Sequence, residues 1–320
     1  MFHNNPICQL LDIQYPIFSA PMANVSGGEL AKAVTEAGGL GFIGVGYSSA
    51  EWLEQQLALV ENTEFGVGFI NWYLAEHPEL LDCALAVNPK AVMLSFGDAG
   101  PFIKQVKAAG SKVICQITNV QEAIAVEKLG ADAIVAQGRE AGGHCAAQAE
   151  STMTLVKAVV EQVTVPVVAA GGIADAQGYQ IALAAGASGI MMGTRFYAST
   201  EALGVDAAKQ KIVDAKASDL TYTDTIDKLR NTVWPNAYTG HAIKNNFLEQ
   251  FLASTIITEQ DREAYQAAAQ TKDYDITAVF AGESVEKIET ILPAKTIIDQ
   301  IVNYIPEENN IVKNSGHSIG

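Results

Sequence analysis

Eight short runs of apolar, mostly β-branched residues recur at even spacing through the first two-thirds of the chain, and this rhythm restricts the fold more than any other feature. They occupy residues 15–20, 40–44, 65–70, 91–95, 113–117, 133–137, 165–170 and 189–193. Each is bounded by turn residues, as expected of strands buried on both faces. Between them apolar residues return at helical spacing. In residues 121–129, for example, Ile124, Val126 and Leu129 lie among Glu122, Glu127 and Lys128. Strands alternating with helices point to βα units around a parallel sheet. An open doubly wound sheet can hold eight strands, but eight evenly spaced units close naturally into a (β/α)8 TIM barrel, the expected fold.

The punctuation repeats as well. Glu36-Ala37-Gly38, Ala108-Ala109-Gly110, Lys128-Leu129-Gly130 and Ala184-Ala185-Gly186 each end a helix just before a strand, where glycine accepts the left-handed conformation. Ser26-Gly27-Gly28-Glu29 and Thr118-Asn119-Val120-Gln121 read as capping boxes, and Pro78 and Pro101 suit first-turn positions. After Thr194 the rhythm changes. Residues 1–200 are read as the barrel, and 201–280 as a helical insertion with stretches at 207–215, 247–255 and 259–269 and no clear strand. A last helix over 285–304, interrupted by Pro293, returns to the barrel wall within residues 281–305. A polar, Asn-rich, frayed tail follows over 306–320.

Composition excludes several classes of function. Lys plus Arg is 20 against 36 Asp plus Glu, a net charge of −16, and an acidic surface repels nucleic-acid phosphates. No apolar run reaches the length of a membrane span. The start, Met1-Phe2-His3-Asn4-Asn5-Pro6, lacks the basic segment of a signal peptide, so a cytoplasmic location is expected. Cys8, Cys83, Cys115 and Cys145 form no CxxC pair, and the five histidines form no HExxH, so neither a disulfide framework nor a metal site is expected.

Gly39-Leu40-Gly41-Phe42-Ile43-Gly44 matches G-x-G-x-x-G but follows a helix and enters a strand, the reverse of a dinucleotide fingerprint. It reads as a tight αβ turn. The stronger phosphate signal follows the seventh and eighth runs, in Ala170-Gly171-Gly172-Ile173 and Met192-Gly193-Thr194, with Asp175 placed to cap the next helix. Barrels hold phosphates between these two loops, where glycine amides approach the oxygens and a threonine hydroxyl adds a donor. A sugar phosphate, pyridoxal phosphate or flavin mononucleotide (FMN) would suit such a site. Pyridoxal chemistry needs a lysine near the strand ends, and Lys90 and Lys112 precede their strands.

The sixth run ends in Ala136-Gln137-Gly138-Arg139-Glu140-Ala141-Gly142-Gly143-His144. Catalytic groups of barrels sit at this rim, and a histidine after two glycines can lie over a flat cofactor. Imidazole takes a proton near neutral pH or, protonated, stabilises an anion. His144 is therefore the catalytic candidate, with His241 the only rival. His3 and His317 lie near the ends of the sequence, and His77 precedes Pro78 as helix-start chemistry. Cys145 reads as a small packing residue. Gln116 and Gln137 end the fifth and sixth runs, where their amides would meet a heteroaromatic ring.

These residues resemble the nitronate monooxygenase (2-nitropropane dioxygenase) family from about Tyr15 to Ile301. The resemblance is carried by Ala20-Pro21-Met22, Glu36-Ala37-Gly38-Gly39-Leu40-Gly41, Ser95-Phe96-Gly97-Asp98, residues 136–144 and the two phosphate loops, the second continuing into Arg195-Phe196. Trp234-Pro235, Tyr238-Thr239-Gly240 and Ala281-Gly282-Glu283 complete it. It implies an FMN-dependent TIM barrel with a helical substrate-side domain. Met22 and Gln116 would line the flavin ring, with Gln137 and Gly142 beside the cofactor. Gly171, Gly172, Gly193 and Thr194 would cradle the phosphate together with Met192, and His144 would be the base or anion-stabilising residue.

Three positions depart from the family pattern. Gly68 stands where many members carry asparagine, with Asn71 three residues later, so a flavin contact from that strand is not carried over. Cys145-Ala146-Ala147 replace a basic residue and glycine, which would reshape the substrate pocket. Gln116 replaces a lysine found in some relatives. The implied reaction is oxidation of a small nitronate or nitroalkane by O2 to a carbonyl compound and nitrite, and a homodimer remains open. An NAD(P)H-linked enoyl-acyl-carrier or quinone reductase, and a flavin-free barrel binding a phosphorylated metabolite, are the competing readings.

Overall fold

All eight apolar runs form strands, because short β-branched segments bounded by glycine or polar turns bury both faces without edge exposure. In a computed structural model describing residues 2, 4–252 and 256–304, the strands in chain order are β1 (Ile17–Ser19), β2 (Phe42–Gly44), β3 (Gly66–Ile70), β4 (Ala91–Ser95), β5 (Lys112–Ile117), β6 (Ala133–Gln137), β7 (Gly143–Ala146), β8 (Val167–Ala170) and β9 (Gly189–Met192). All except β7 form one parallel sheet ordered β1-β9-β8-β6-β5-β4-β3-β2. The sheet closes on itself. Phe18 bridges Leu40, Leu40 N donates to Ile17 O at 3.0 Å, and Phe42 N donates to Ser19 Oγ at 3.0 Å. The architecture is a TIM barrel.

Two apolar layers follow from this closure. Inside, Phe18, Phe42, Met93, Ile114, Val135 and Val168 pack with Ile7 and Leu11 of the helix Pro6–Leu11. Pro6 suits that helix's first turn, Asn5 caps it, and Asn5 Nδ2 donates to Ser188 O ahead of β9. That bond places the helix at the N-terminal end of the barrel, so the interior is a packed core rather than a pore. Outside, helix faces such as Leu30 and Val34 of Gly28–Glu36 meet the sheet. At the G-x-G-x-x-G stretch a Cβ on Gly41 would lie 2.0 Å from Ala31 O. The glycine there serves helix–strand packing.

The helix stops hold as read, with Gly38, Gly110, Gly130 and Gly186 all at positive φ. Two helix starts differ. Gly27, not Ser26, is the N-cap of Gly28–Glu36, because the buried Ser26 hydroxyl is used within the preceding loop. Asn119, not Thr118, caps Val120–Leu129, and Glu122 reaches back to Thr118.

The stretch 201–280 differs more. It contains the helices Asp206–Asp214, Thr225–Arg230, Asn246–Leu252 and Glu259–Thr271, but also β10 (Leu220–Thr223), β11 (Tyr238–Ile243) and β12 (Val279–Phe280). These form an antiparallel sheet ordered β10-β11-β12, and β7 pairs with β11 to make it four-stranded. The expectation of no strand fails because β10 and β11 mix Thr, Tyr and His with few apolar residues and β12, Val279–Phe280, is too short to stand out as a run. The expected helix over 285–304 is likewise replaced, by a 3-10 turn Glu283–Lys287 and a helix Ala294–Val302. Pro293 is the N-cap of that second helix, since a residue without an N–H begins a helix at no cost. The tail 306–320, His3 and His317 lie outside the described residues. No helix among the described residues is long and apolar enough to cross a membrane.

Gly41→Ala is expected to lower the unfolding free energy by about 2–3 kcal/mol, because the new methyl meets backbone that cannot move away. A shift in the urea midpoint without a change in slope checks this.

Candidate active site

The C-terminal ends of the barrel strands open into a cavity of about 500 Å³, a size typical of small-molecule sites. Met22, Gln116, Gln137, Gly142, His144, Gly171, Gly172, Gly193 and Thr194 all line it. Met192 does not. Only 1% exposed, it joins the core outside the barrel, while its neighbour Met191 lines the cavity, as strand alternation requires.

Local chemistry sets each wall. Ser26 Oγ donates to Ala20 O at 2.7 Å and accepts from Met22 N at 3.2 Å, which holds the loop carrying Met22. Gly171 and Gly172 take φ of 118° and 69°, values that favour glycine, and turn their loop toward the cavity. Asp175 caps the next helix as expected, accepting from Gly178 N. Thr194 opens the short helix Thr194–Tyr197 and its Oγ1 accepts from Gly282 N at 3.1 Å. The two glutamines form a chain. Gln116 Nε2 donates to Gln137 Oε1 at 3.0 Å, and Gln137 Nε2 donates to His144 O at 3.1 Å, which ties the histidine strand to the barrel rim.

His144 lies on β7. Its Nε2 is 3.0 and 2.9 Å from the two oxygens of Asp227, with both side chains nearly buried (10% and 8% exposed). The imidazole is stacked on Trp234 with centroids 3.5 Å apart and planes within 5°. Trp234 Nε1 in turn donates to the Tyr47 hydroxyl at 2.6 Å, and burial pushes the Tyr47 phenol well above its usual range, so it stays neutral. With Nε2 donating to the carboxylate, the lone pair of the neutral ring resides on Nδ1. Such a group can accept a proton or bind an anion.

Asp227 and Tyr47 were not singled out in the sequence, and Trp234 stood only among the family matches. Asp227 is 83 residues from His144, and nothing in its helix Thr225–Arg230 distinguishes it from an ordinary solvated carboxylate.

The rival histidine has a structural role. His241 is 1% exposed, stacks on Tyr222, and its Nδ1 donates to Ala141 O at 2.8 Å, bracing residues 141–144 from behind. Cys145 is buried against Thr239 O and its thiol is pushed up to about 12, so it is unreactive. Gly68 lines the cavity, but a Cβ there would lie 2.3 Å from Pro21 Cβ, which rules out any side chain. Asn71 is buried with Nδ2 donating to Gly97 O, on a smaller neighbouring cavity that shares Gln116.

The sequence matches the family described as nitronate monooxygenase over residues 4–66 and 61–304. A curated relative, "Probable nitronate monooxygenase" of Staphylococcus aureus (strain MSSA476), is 31% identical across 95% of this chain and 98% of its own. Among solved structures, FabK from Thermotoga maritima superposes with a TM-score of 0.81 at 30% identity, covering 93% of this chain and 94% of that one. A nitroalkane oxidase from Streptomyces ansochromogenes gives 0.77 at 28% identity, covering 93% and 97%.

Burial holds the His241 imidazole below its ordinary pKa. The unfolded chain therefore binds a proton near pH 6.5 that the folded chain resists. Stability is full above that value and falls as pH drops below it. His241→Gln is expected to flatten the fall in unfolding free energy between pH 7 and pH 5, by at most about 1.4 kcal/mol per pH unit, as read from urea titrations at several pH values.

Proposed function

The chain belongs to the nitronate monooxygenase family, and from that premise we propose that it is an FMN-dependent enzyme oxidising alkyl nitronates, and the nitroalkanes that yield them, with O2 to a carbonyl compound and nitrite. The observation that carries this reading is the imidazole of His144, held between the Asp227 carboxylate and the Trp234 ring at the wall of the cavity.

The residues present fit a flavin. Gly143 and Gly193 line the cavity, and a Cβ on either would meet no atom closer than 3.6 Å, so their missing side chains leave open space. The loops after β8 and β9 offer amides and the Thr194 hydroxyl for the phosphate, and the Gln116–Gln137 pair offers amide groups for the polar edge of a ring. Gly171, Gly172, Gly193 and Thr194 would hold the phosphate, with Met22, Gln116, Gln137 and Gly142 against the ring system. When bound, FMN supplies transfer of electrons from substrate to O2.

The chain's own contribution is to bind, orient and move a proton. Neutral His144 takes the proton from the carbon bearing the nitro group, and Asp227 stabilises the resulting imidazolium. With a nitronate already formed, protonated His144 pairs with its anionic oxygens. Trp234 keeps the ring in one orientation and excludes water from one of its faces.

The likeness to FabK supports a second reading, an NAD(P)H-linked reductase using the same site. Anaerobic mixing of the flavin-loaded protein with a nitronate and, separately, with NADH distinguishes the two. Loss of flavin absorbance with the nitronate alone supports oxidation, whereas rapid loss with NADH overturns it in favour of the reductase.

His144→Ala is expected to abolish turnover of neutral nitroalkanes while flavin stays bound, as measured by nitrite release and the visible spectrum. Asp227→Asn is expected to lower kcat with nitroalkanes by about 100-fold, and less with preformed nitronates, which need no proton removed.

A further inference from the structure

Trp234 is the inner end of a row of oxidisable rings that leaves the cavity and reaches the surface. Its indole lies 5.5 Å from that of Trp72, Trp72 lies 6.0 Å from Tyr73, and Tyr73 lies 4.3 Å from His77, all between ring centroids. The His77 side chain is 40% exposed, so the row ends in solvent. Trp72 and Tyr73 are neighbours on the helix Asn71–Glu76 that follows β3, and successive helical residues point in different directions, one ring toward Trp234 and the other toward His77. Neither lines the cavity. Edge-to-face spacing of this kind is ordinary for packed aromatics, and the proton partners of the rings are what set the row apart.

Trp72 Nε1 is buried without an acceptor among the described residues, and Trp234 Nε1 donates to the Tyr47 phenol, which is no base. An indole that loses an electron here keeps its proton and stays a cation radical, its more strongly oxidising form. Tyr47, 5.4 Å from Tyr73, lies in the cavity wall, and burial opposes loss of its proton. Tyr73 lies off the cavity and is partly exposed, so its phenol can release a proton to water as an electron leaves. Partial burial and the carboxylates of Glu79 and Glu76 raise the Tyr73 pKa, and the same negative field favours arrival of a positive equivalent at that ring. Proton release and field both favour transfer from cavity to surface.

We propose that Trp234, Trp72 and Tyr73 form a protective electron-transfer chain that carries an oxidising equivalent from a radical in the cavity to a thiol outside. The proposal rests on the reading of the cavity as a flavin site in which organic substrates meet O2. An organic radical released there combines with O2 to a peroxyl radical, which is the oxidant. Indole and phenol yield electrons only to oxidants of this strength, so the chain is idle during ordinary transfer from substrate to O2. The peroxyl radical takes one electron from Trp234 and one proton from protonated His144 and becomes a hydroperoxide. Trp72 reduces the Trp234 cation radical, and Tyr73 reduces Trp72 while losing its phenolic proton to water. A thiol at the surface then gives a hydrogen atom to the tyrosyl oxygen and leaves as a thiyl radical, and His144 recovers its proton from solvent.

Flash photolysis of the flavin-loaded protein, without O2 or substrate, tests the path, because blue light makes a bound flavin a strong one-electron oxidant. In the wild type the broad indolyl absorbance is expected to give way to the sharp phenoxyl band. Tyr73→Phe and Trp72→Phe should each lose the phenoxyl band and leave the indolyl signal long-lived. Tyr73→Phe removes only one partly exposed hydroxyl, and it carries the test should Trp72→Phe not fold. A wild type without the phenoxyl band overturns the chain. So does a band that survives in either variant, which would assign the exit to another ring such as Tyr238, 5.9 Å from Trp234.

The protective role is read after equal numbers of turnovers with a nitronate under O2 and dithiothreitol. Peptide mass spectrometry should find more oxidised Trp234 in Tyr73→Phe than in the wild type, and equal oxidation sinks the role. The flash needs bound flavin but no nitronate, which separates the chain from the proposed reaction. A phenoxyl band lost in the variants, in a protein that releases no nitrite, keeps the path and discards nitronate oxidation. Nitrite release without the band discards the chain and leaves the reaction standing, and a protein that takes up no flavin discards both.

Discussion

The antiparallel pairing of β7 with β11 joins two parts of the chain that would otherwise be independent. Its register, Gly240↔His144 and His241↔Gly143, brings the loop after the sixth barrel strand up into the cap sheet. The histidine therefore sits on a hydrogen-bonded strand rather than on a free loop. Without this pairing, neither the Asp227 carboxylate nor the Trp234 ring would be within reach of the imidazole. His241 and Cys145 belong to the same seam, one bracing residues 141–144 through Ala141 O and the other filling space against Thr239. The two residues nearest His144 in register and in sequence are thus structural.

The site combines rigid and polar parts in a consistent order. The barrel rim supplies glycines, a methionine and paired amides, which suit a flat, hydrogen-bonding cofactor. The cap supplies the aromatic and charged groups. A buried carboxylate beside an imidazole is costly to leave unpaired, and here each is the other's partner. Stacking on Trp234, itself hydrogen-bonded to Tyr47, leaves the imidazole little freedom to rotate. Preorganisation of this kind lets a modest base act without first being oriented.

Electrostatic sign divides the molecule in a second way. The chain carries a net charge of −16, while among the described residues the charged side chains lining the cavity are Arg230 and Lys272, both exposed, with the Asp227–His144 pair at its wall.

The barrel was legible in the amino-acid order because its determinants are local: eight apolar runs, glycines that close helices, and amphipathic spacing. The glycine loops after β8 and β9 and the placement of His144 at the barrel mouth were legible for the same reason, being short motifs at predictable strand ends. The antiparallel sheet was not, because β10 and β11 carry few apolar residues and β12 is only two residues long, and their stability comes from partners distant in the chain. The positions of Asp227 and Tyr47 beside the cavity were hidden for a related reason. A carboxylate or guanidinium on a helix looks alike whether it faces water or a cavity, and only the folded arrangement of barrel and cap decides which. Met192 and Met191 show the same limit at the scale of one residue: adjacent, chemically identical side chains are sent to opposite faces of a strand, and register with the neighbouring strands determines which one meets the ligand.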